Sequence, residues 1–140
     1  RTFHEPDFNT EDGKANFFVT PLPEQLQQQD DYAFTLMTLR SEGQFNTVVY
    51  EEADLYRGNK HRYVVMLSDM DAKRLEIQDG DKVTVKTKVG EMRVEASIVD
   101  IAKGSLAMYY PEANALVPQD LDPQSKTPAF KNISATIVVG

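Results

Sequence analysis

Asp71-Ala72-Lys73-Arg74-Leu75-Glu76-Ile77-Gln78-Asp79-Gly80-Asp81-Lys82-Val83-Thr84-Val85 reads as a helix, a chain reversal and a strand in immediate succession. Ser68 or Asp69 can cap the helix, because a short polar side chain accepts the free amide protons of the first turn, and Asp71 suits the positive end of the helix dipole. The helical pattern reaches only Leu75. The chain must then reverse at Gly80, where the missing Cβ permits backbone that other residues avoid. From Lys82 to Thr87 charged and β-branched residues alternate with period two, as in a half-buried strand.

Outward from this unit the chain is a succession of short strands. A turn at Val89-Gly90 leads into the alternating run Met92 to Val99, which predicts a hairpin with the strand before it. Lys103-Gly104 is the next turn, and Leu106-Ala107-Met108-Tyr109-Tyr110 follows until Pro111 stops it. Upstream, Tyr63-Val64-Val65-Met66 is a compact apolar run and Phe34-Thr35-Leu36-Met37-Thr38-Leu39 alternates. Asp12-Gly13 signals a turn, after which Ala15-Asn16-Phe17-Phe18-Val19 is a strand candidate ended by Pro21 and Pro23. With Ile133 to Val139 the count is about seven strands and one or two short helices, while Val48 to Arg57 stays unassigned. So many short strands bury their edges by closing into a barrel, giving a mainly β fold.

Composition narrows the function. A chain of 140 residues, 41% hydrophobic and 26% charged, is the size and character of one globular domain. With no cysteine there is no disulfide, thiolate nucleophile or cysteine-bound cluster in these residues. A net charge of -7, with Lys and Arg scattered singly, argues against nucleic acid. No apolar run suits a membrane span, so no direct membrane contact is expected. Without a secretory signal pattern the cytoplasm is the default, with the periplasm left open. The polar, turn-rich opening from Arg1 is what a piece of a larger polypeptide would have, and we expect residues 1–14 to connect from a preceding domain and 15–140 to form the domain itself.

Two loops stand out. Asn114 to Lys131 holds Pro118, Pro123 and Pro128, Lys126 and Lys131, and no hydrophobic period. A segment this long that returns to a strand is expected to be tied down as one wall of a ligand site. Arg40-Ser41-Glu42-Gly43-Gln44-Phe45-Asn46-Thr47 is the other, a polar loop at the end of the Phe34–Leu39 strand.

The helix-turn-strand unit resembles the element repeated in double-psi β-barrels. Phe8-Asn9-Thr10 with Asp12-Gly13-Lys14-Ala15, the Leu39 to Thr47 strand and loop, and the closing Asn114 to Lys131 segment follow in an order and spacing similar to the C-terminal molybdopterin-dinucleotide-binding domain of the formate dehydrogenase and dimethyl sulfoxide reductase superfamily. The likeness covers essentially the whole chain and is greatest to formate-dehydrogenase-like catalytic subunits. It implies a double-psi β-barrel that helps hold a bis-molybdopterin guanine dinucleotide carrying molybdenum or tungsten, for formate-type two-electron chemistry at a metal site in other domains. It also implies that the remaining domains of the parent oxidoreductase, and an electron-transfer subunit, are the partners. The fragment alone would be neither catalytic nor cofactor-loaded. The cofactor-binding set carried over is Arg40, Ser41, Glu42, Gln44, Phe45, Asn46, Thr47, Asn114, Phe130 and Lys131, with no catalytic residue and no metal ligand in this chain.

The residue types suit that role. A pterin dinucleotide presents edged heterocycles and a pyrophosphate, so its site needs directional hydrogen bonds. Arg40 can fork onto phosphate or a carbonyl edge, Ser41 and Thr47 offer hydroxyls, and Gln44 and Asn46 both donate and accept. Gly43 would let backbone approach closely. Asn114 could pair with a heterocycle edge and Lys131 with a phosphate, while Lys126 is read as a contact inside its loop. Phe45 reads equally as core or as a stacking surface. The bland alternative pairs Arg40 with Glu42 or Glu51 at the surface.

His61 lies in the charged stretch Asn59-Lys60-His61-Arg62 and reads as solvated, and His4 as part of the connector. Asp69, Asp71, Asp79 and Asp81 lack the spacing of a calcium loop and read as capping and turn chemistry. The competing class is a free-standing double-psi barrel used for interaction or substrate recognition, which explains the barrel but not the closing loop. A self-processing barrel would need Gly104-Ser105 as its cleavage pair, and an aspartic protease an Asp-Thr-Gly loop that does not occur.

Overall fold

The computed structural model describes residues 8–19, 21, 34–45 and 49–140. Helix α1 spans Asp69–Arg74 with Ser68 as its N-cap, the Ser68 hydroxyl accepting from the Asp71 amide at 3.1 Å. The Asp71 side chain is fully buried and accepts from the Ser68 hydroxyl at 2.6 Å and the Gly104 amide at 2.8 Å. Burial raises the pKa of this carboxyl, but hydrogen bonds from Ser68, Gly104 and Arg74 outweigh it, and the net shift is downward. The helix is thereby fastened to the Lys103-Gly104 turn. After it Gly80 turns the chain with φ +88° and donates to the Ala96 carbonyl at 2.9 Å. Asp79 accepts from the Ile98 amide and Asp81 from the Gln78 amide, so the acidic cluster is turn chemistry as read.

The strands are β1 (Phe34–Leu39), β2 (Val64–Leu67), β3 (Lys82–Lys86), β4 (Glu91–Ile98), β5 (Ser105–Tyr109) and β6 (Ile133–Val139). They close into a barrel in the order β1-β5-β2-β4-β3-β6. The hairpin β3–β4 is antiparallel, as its alternation predicts, and β6 lies antiparallel to both β3 and β1. β1 runs parallel to β5, and β2 parallel to β4, so each pair needs a crossing connection. Two parallel pairs inside an otherwise antiparallel closed ring make the molecule a double-psi β-barrel.

Alternation decides which side chains fill the ring. Leu36, Val65, Val83, Val85, Leu106 and Met108 point inward and are essentially inaccessible. β2 is buried at every position, because Val64 and Met66 form a second cluster outside the barrel with Ala107 and Tyr109. That explains its unbroken apolar sequence.

Two expectations are corrected. Ala15 to Val19 forms no strand, and Phe17, Phe18 and Val19 are 96%, 87% and 97% exposed. The ring closes without this segment and leaves no edge for it to pair with. The closing segment is not wholly irregular either, since a 3-10 turn spans Glu112–Leu116 and buries Ala113 and Leu116 against the core. The Asp12-Gly13 turn forms, with Gly13 at φ +69°.

Candidate functional site

The C-terminal end of β1 and the end of the closing segment meet over the barrel. The Thr38 amide donates to the Phe130 carbonyl at 2.9 Å, and the Tyr110 amide to the Leu39 carbonyl at 2.8 Å. Lys131 reaches back and donates to the Thr38 carbonyl. Tyr110 and Phe130 pack edge to face, with ring centroids 6.1 Å apart. Together Thr38, Leu39, Arg40, Tyr110, Phe130 and Lys131 line an open cleft of about 260 Å³. Among the described residues Arg40 has no ion-pair partner, so the pairing with Glu42 or Glu51 does not form.

A second hollow of about 370 Å³ lies over the turn that follows, lined by Glu42, Gly43, Phe45, Val49, Tyr50, Glu51, Ala53 and Leu55. Gly43 takes φ +71° there, which a side chain would oppose. Phe45 is 69% exposed, which settles it as a surface aromatic rather than core.

Ser41 and Gln44 face the other way. Both are buried, and their side chains hold the guanidinium of Arg62, which is only 2% exposed although it lies in the charged stretch Asn59-Lys60-His61-Arg62. Arg62 donates to the Ser41 hydroxyl at 2.6 Å, to Gln44 Oε1 at 3.0 Å, to the Tyr110 carbonyl at 2.6 Å and to Glu112 Oε1 at 2.7 Å. Its Cζ lies 4.1 Å from the Tyr50 ring centroid and 5.0 Å from that of Tyr109. Gln44 also donates to the Tyr110 carbonyl at 2.8 Å and accepts from the Ser41 amide at 3.1 Å. Glu112 Oε2 is buried without a hydrogen-bond partner.

A sequence signal for Arg62 existed. Arg62, Val64 and Met66 follow period two, and the latter two belong to the outer cluster that contains Tyr109. Below Arg62, the Tyr109 hydroxyl donates to Asp54 at 2.8 Å and accepts from Asn59 at 2.9 Å. Desolvation and the adjacent Asp54 push Tyr109 up to about 12, so it stays neutral. Burial raises the pKa of Asp54, but hydrogen bonds from Arg57 and Tyr109 bring it below the usual carboxylate value.

Thus Arg40, Phe130 and Lys131 share one cleft, Glu42 and Phe45 line the neighbouring hollow, and Ser41 and Gln44 lie behind both. Asn114 sits exposed on the 3-10 turn and lines neither hollow. Asn46 and Thr47 fall outside the described residues, as does His4. His61 Nε2 lies 3.4 Å from Glu95 Oε2 at the surface. No group of His, Asp and Glu among the described residues is arranged to hold a metal ion, and no helix among them is long and apolar enough to cross a membrane.

Residues 34–134, well over half of the chain, match the family described as Molydopterin dinucleotide binding domain. The chain is 37% identical over 139 residues to an uncharacterized oxidoreductase of Mycobacterium tuberculosis (strain ATCC 25618 / H37Rv), covering 91% of this chain and 18% of that protein. It is 30% identical over 132 residues to formate dehydrogenase H of Escherichia coli (strain K12), covering 89% of this chain and 18% of that one. It therefore spans about a fifth of the length of these relatives. Among solved structures, acetylene hydratase from Pelobacter acetylenicus superposes with a TM-score of 0.63 at 17% identity, covering 86% of this chain and 20% of that one, a likeness of fold. The closed barrel and the matched residues agree: this chain belongs to the molybdopterin dinucleotide binding domain family.

Proposed function

We propose that this domain supplies one side of a site for a bis-molybdopterin guanine dinucleotide, in a larger oxidoreductase of the formate dehydrogenase type. The observation that carries the reading is the cleft in which Arg40, Tyr110, Phe130 and Lys131 converge. Its donor set fits the ligand. An arginine without an ion-pair partner among the described residues can fork onto a phosphate or carbonyl edge, and Lys131 keeps donors beyond the one spent on Thr38. The paired aromatic rings suit a flat heterocycle. The cleft's 260 Å³ falls short of the roughly 300–1,000 Å³ in which proteins enclose drug-sized ligands, as expected where other domains complete the site.

In this reading the domain binds and orients. Arg40 and Lys131 place local positive charge on an otherwise acidic surface, Phe130 and Tyr110 shield one face from water, and Glu42 and Phe45 extend the wall. When bound, the cofactor's molybdenum or tungsten would supply the two-electron redox chemistry, with the remaining domains and an electron-transfer subunit as partners. Asn114 would contribute on a separate part of the rim, and Asn46 and Thr47, which follow Phe45 in sequence, would add further polar groups.

Arg40→Ala and Lys131→Ala in the full-length protein should each lower metal and released-pterin content about tenfold while leaving the domain folded, in line with the loss of one charge-assisted hydrogen bond. Normal metal and pterin content in both variants would overturn the assignment. The isolated 140-residue chain should bind guanine nucleotide poorly, and submicromolar binding by calorimetry would contradict a site shared between domains.

A further inference from the structure

We infer that Arg62 is a positioning residue, a buried brace that sets the cleft by fixing two backbone segments against each other without facing the ligand itself. The inference rests on the proposed function for its ligand. Its geometry stands independently. One edge of the guanidinium holds the Ser41–Gln44 turn through the Ser41 hydroxyl and Gln44 Oε1, immediately after Arg40. Another holds the Tyr110 carbonyl and Glu112, where β5 passes into the 3-10 turn. Arg40 and Tyr110 are themselves cleft residues, so the guanidinium ties the backbone beneath one to the backbone beneath the other.

The planar fork is what the arrangement needs. Three nitrogens point to acceptors on segments far apart in sequence, while the Tyr50 and Tyr109 rings pack against the guanidinium carbon. A lysine ammonium could satisfy Glu112 but could not span to Ser41 and Gln44 in one plane. Gln44 repeats the link by donating to the same Tyr110 carbonyl. Ser41 and Gln44 therefore serve the cofactor from behind. Their side chains are spent inward, and the turn they form presents its backbone and Arg40 outward.

The experiment uses the full-length protein with four variants: Arg62→Ala, Arg62→Lys, Ser41→Ala and, as a control for general destabilisation, Asp71→Asn in the α1 cap. Metal and pterin content are measured beside thermal unfolding, and amide exchange of residues 41–45 and 110–112 is followed in cofactor-free protein. Arg62→Ala and Arg62→Lys should lose at least tenfold in cofactor content and exchange faster in both segments together. Millimolar guanidinium should restore cofactor to Arg62→Ala at least threefold, and equal methylammonium should not. Ser41→Ala should show a twofold to fivefold loss, and Asp71→Asn should be destabilised with cofactor content retained. If Arg62→Ala fails to fold, Ser41→Ala and Arg62→Lys decide the matter: wild-type cofactor content and exchange in both would overturn the brace. So would loss of cofactor that merely tracks the fall in thermal stability, as Asp71→Asn calibrates it. Should Arg40→Ala and Lys131→Ala prove inert while the exchange changes appear, the brace stands and the ligand assignment is at fault.

Discussion

The Arg40–Phe45 turn is held from inside the molecule by a buried guanidinium, whereas the turn 122–127 of the closing segment, which comes before the Phe130 and Lys131 bonds to β1, is held at the surface by its own short-range bonds. In the outer segment Asp122 Oδ1 accepts from the amides of Gln124 at 3.0 Å and Ser125 at 2.7 Å, and the Asp122 amide donates to the Thr127 carbonyl at 3.0 Å. Lys126 closes the turn at φ +57°. A buried and nearly satisfied polar network admits one arrangement, while exposed turns whose bonds compete with water admit several. The 40–45 turn is thus set by the fold, and the 122–127 turn is the part of the closing segment with room to adapt.

The comparison breaks most decisively at Arg62. Arg62→Met removes the partner of a buried carboxylate and leaves both oxygens of Glu112 unpaired, so urea unfolding should show a loss of about 3–5 kcal/mol. A change within experimental error would mean that the inner wall does not rest on this charge.

Gly90→Ala probes the same wall through its neighbour. A Cβ there would lie 2.5 Å from the Ala115 carbonyl oxygen, so the 3-10 turn carrying Glu112 must shift, and a loss of about 1–3 kcal/mol is expected in the same measurement.

Titration separates the walls next. Tyr109, against the Arg62 face, holds its proton to about 12 when folded and would release it near 10 when unfolded. The folded state then binds the extra proton between these values, so stability should be level below pH 10 and fall from there toward 12. Asp54 and Asp71 act in the opposite sense: their pKa values lie below 3.8 in the folded state, so their contribution is present above that pH and is lost as pH falls below it. Urea midpoints across the range test both signs, and a flat alkaline limb would remove Tyr109 from the network.

The smallest effect belongs to the outer wall. The amides of Ser125 and Gln124 hold Asp122 below its ordinary value, yet its carboxylate is wholly solvent-exposed. Asp122→Ala should speed amide exchange at Gln124 to Thr127 and leave the global melting temperature unchanged. A shift of several degrees would make this segment part of the fold's foundation.

These contrasts also mark what the sequence could convey. β1, β3, β4 and β6 follow alternation, and Ser68 and Gly80 announce the cap and the turn through local chemistry. Arg40, Phe130 and Lys131 could be placed together from sequence because the polar loops bearing them end at β1 and β6, which the structure brings to one cleft. Arg62 was harder to read, since its period-two alignment with Val64 and Met66 is short and sits in the charged stretch Asn59-Lys60-His61-Arg62, and its burial comes from Tyr50, Tyr109 and Glu112, which only the barrel brings together. Phe17 and Phe18 misled for the complementary reason: an apolar run looks like a strand until the ring is seen to be complete.

Closure by β6 has a kinetic meaning. Phe34 at the start of β1 pairs with Ala135 in β6, so the ring can be sealed only by joining segments separated by almost the whole described chain. Such long-range pairing puts folding in the slow class, on the order of milliseconds to seconds. Phe130 and Lys131 immediately precede the sealing strand, and their bonds to Thr38 lie beside the seam. The ligand-facing surface therefore depends on the β1–β6 seam, and a chain in which that seam has not formed lacks a finished site.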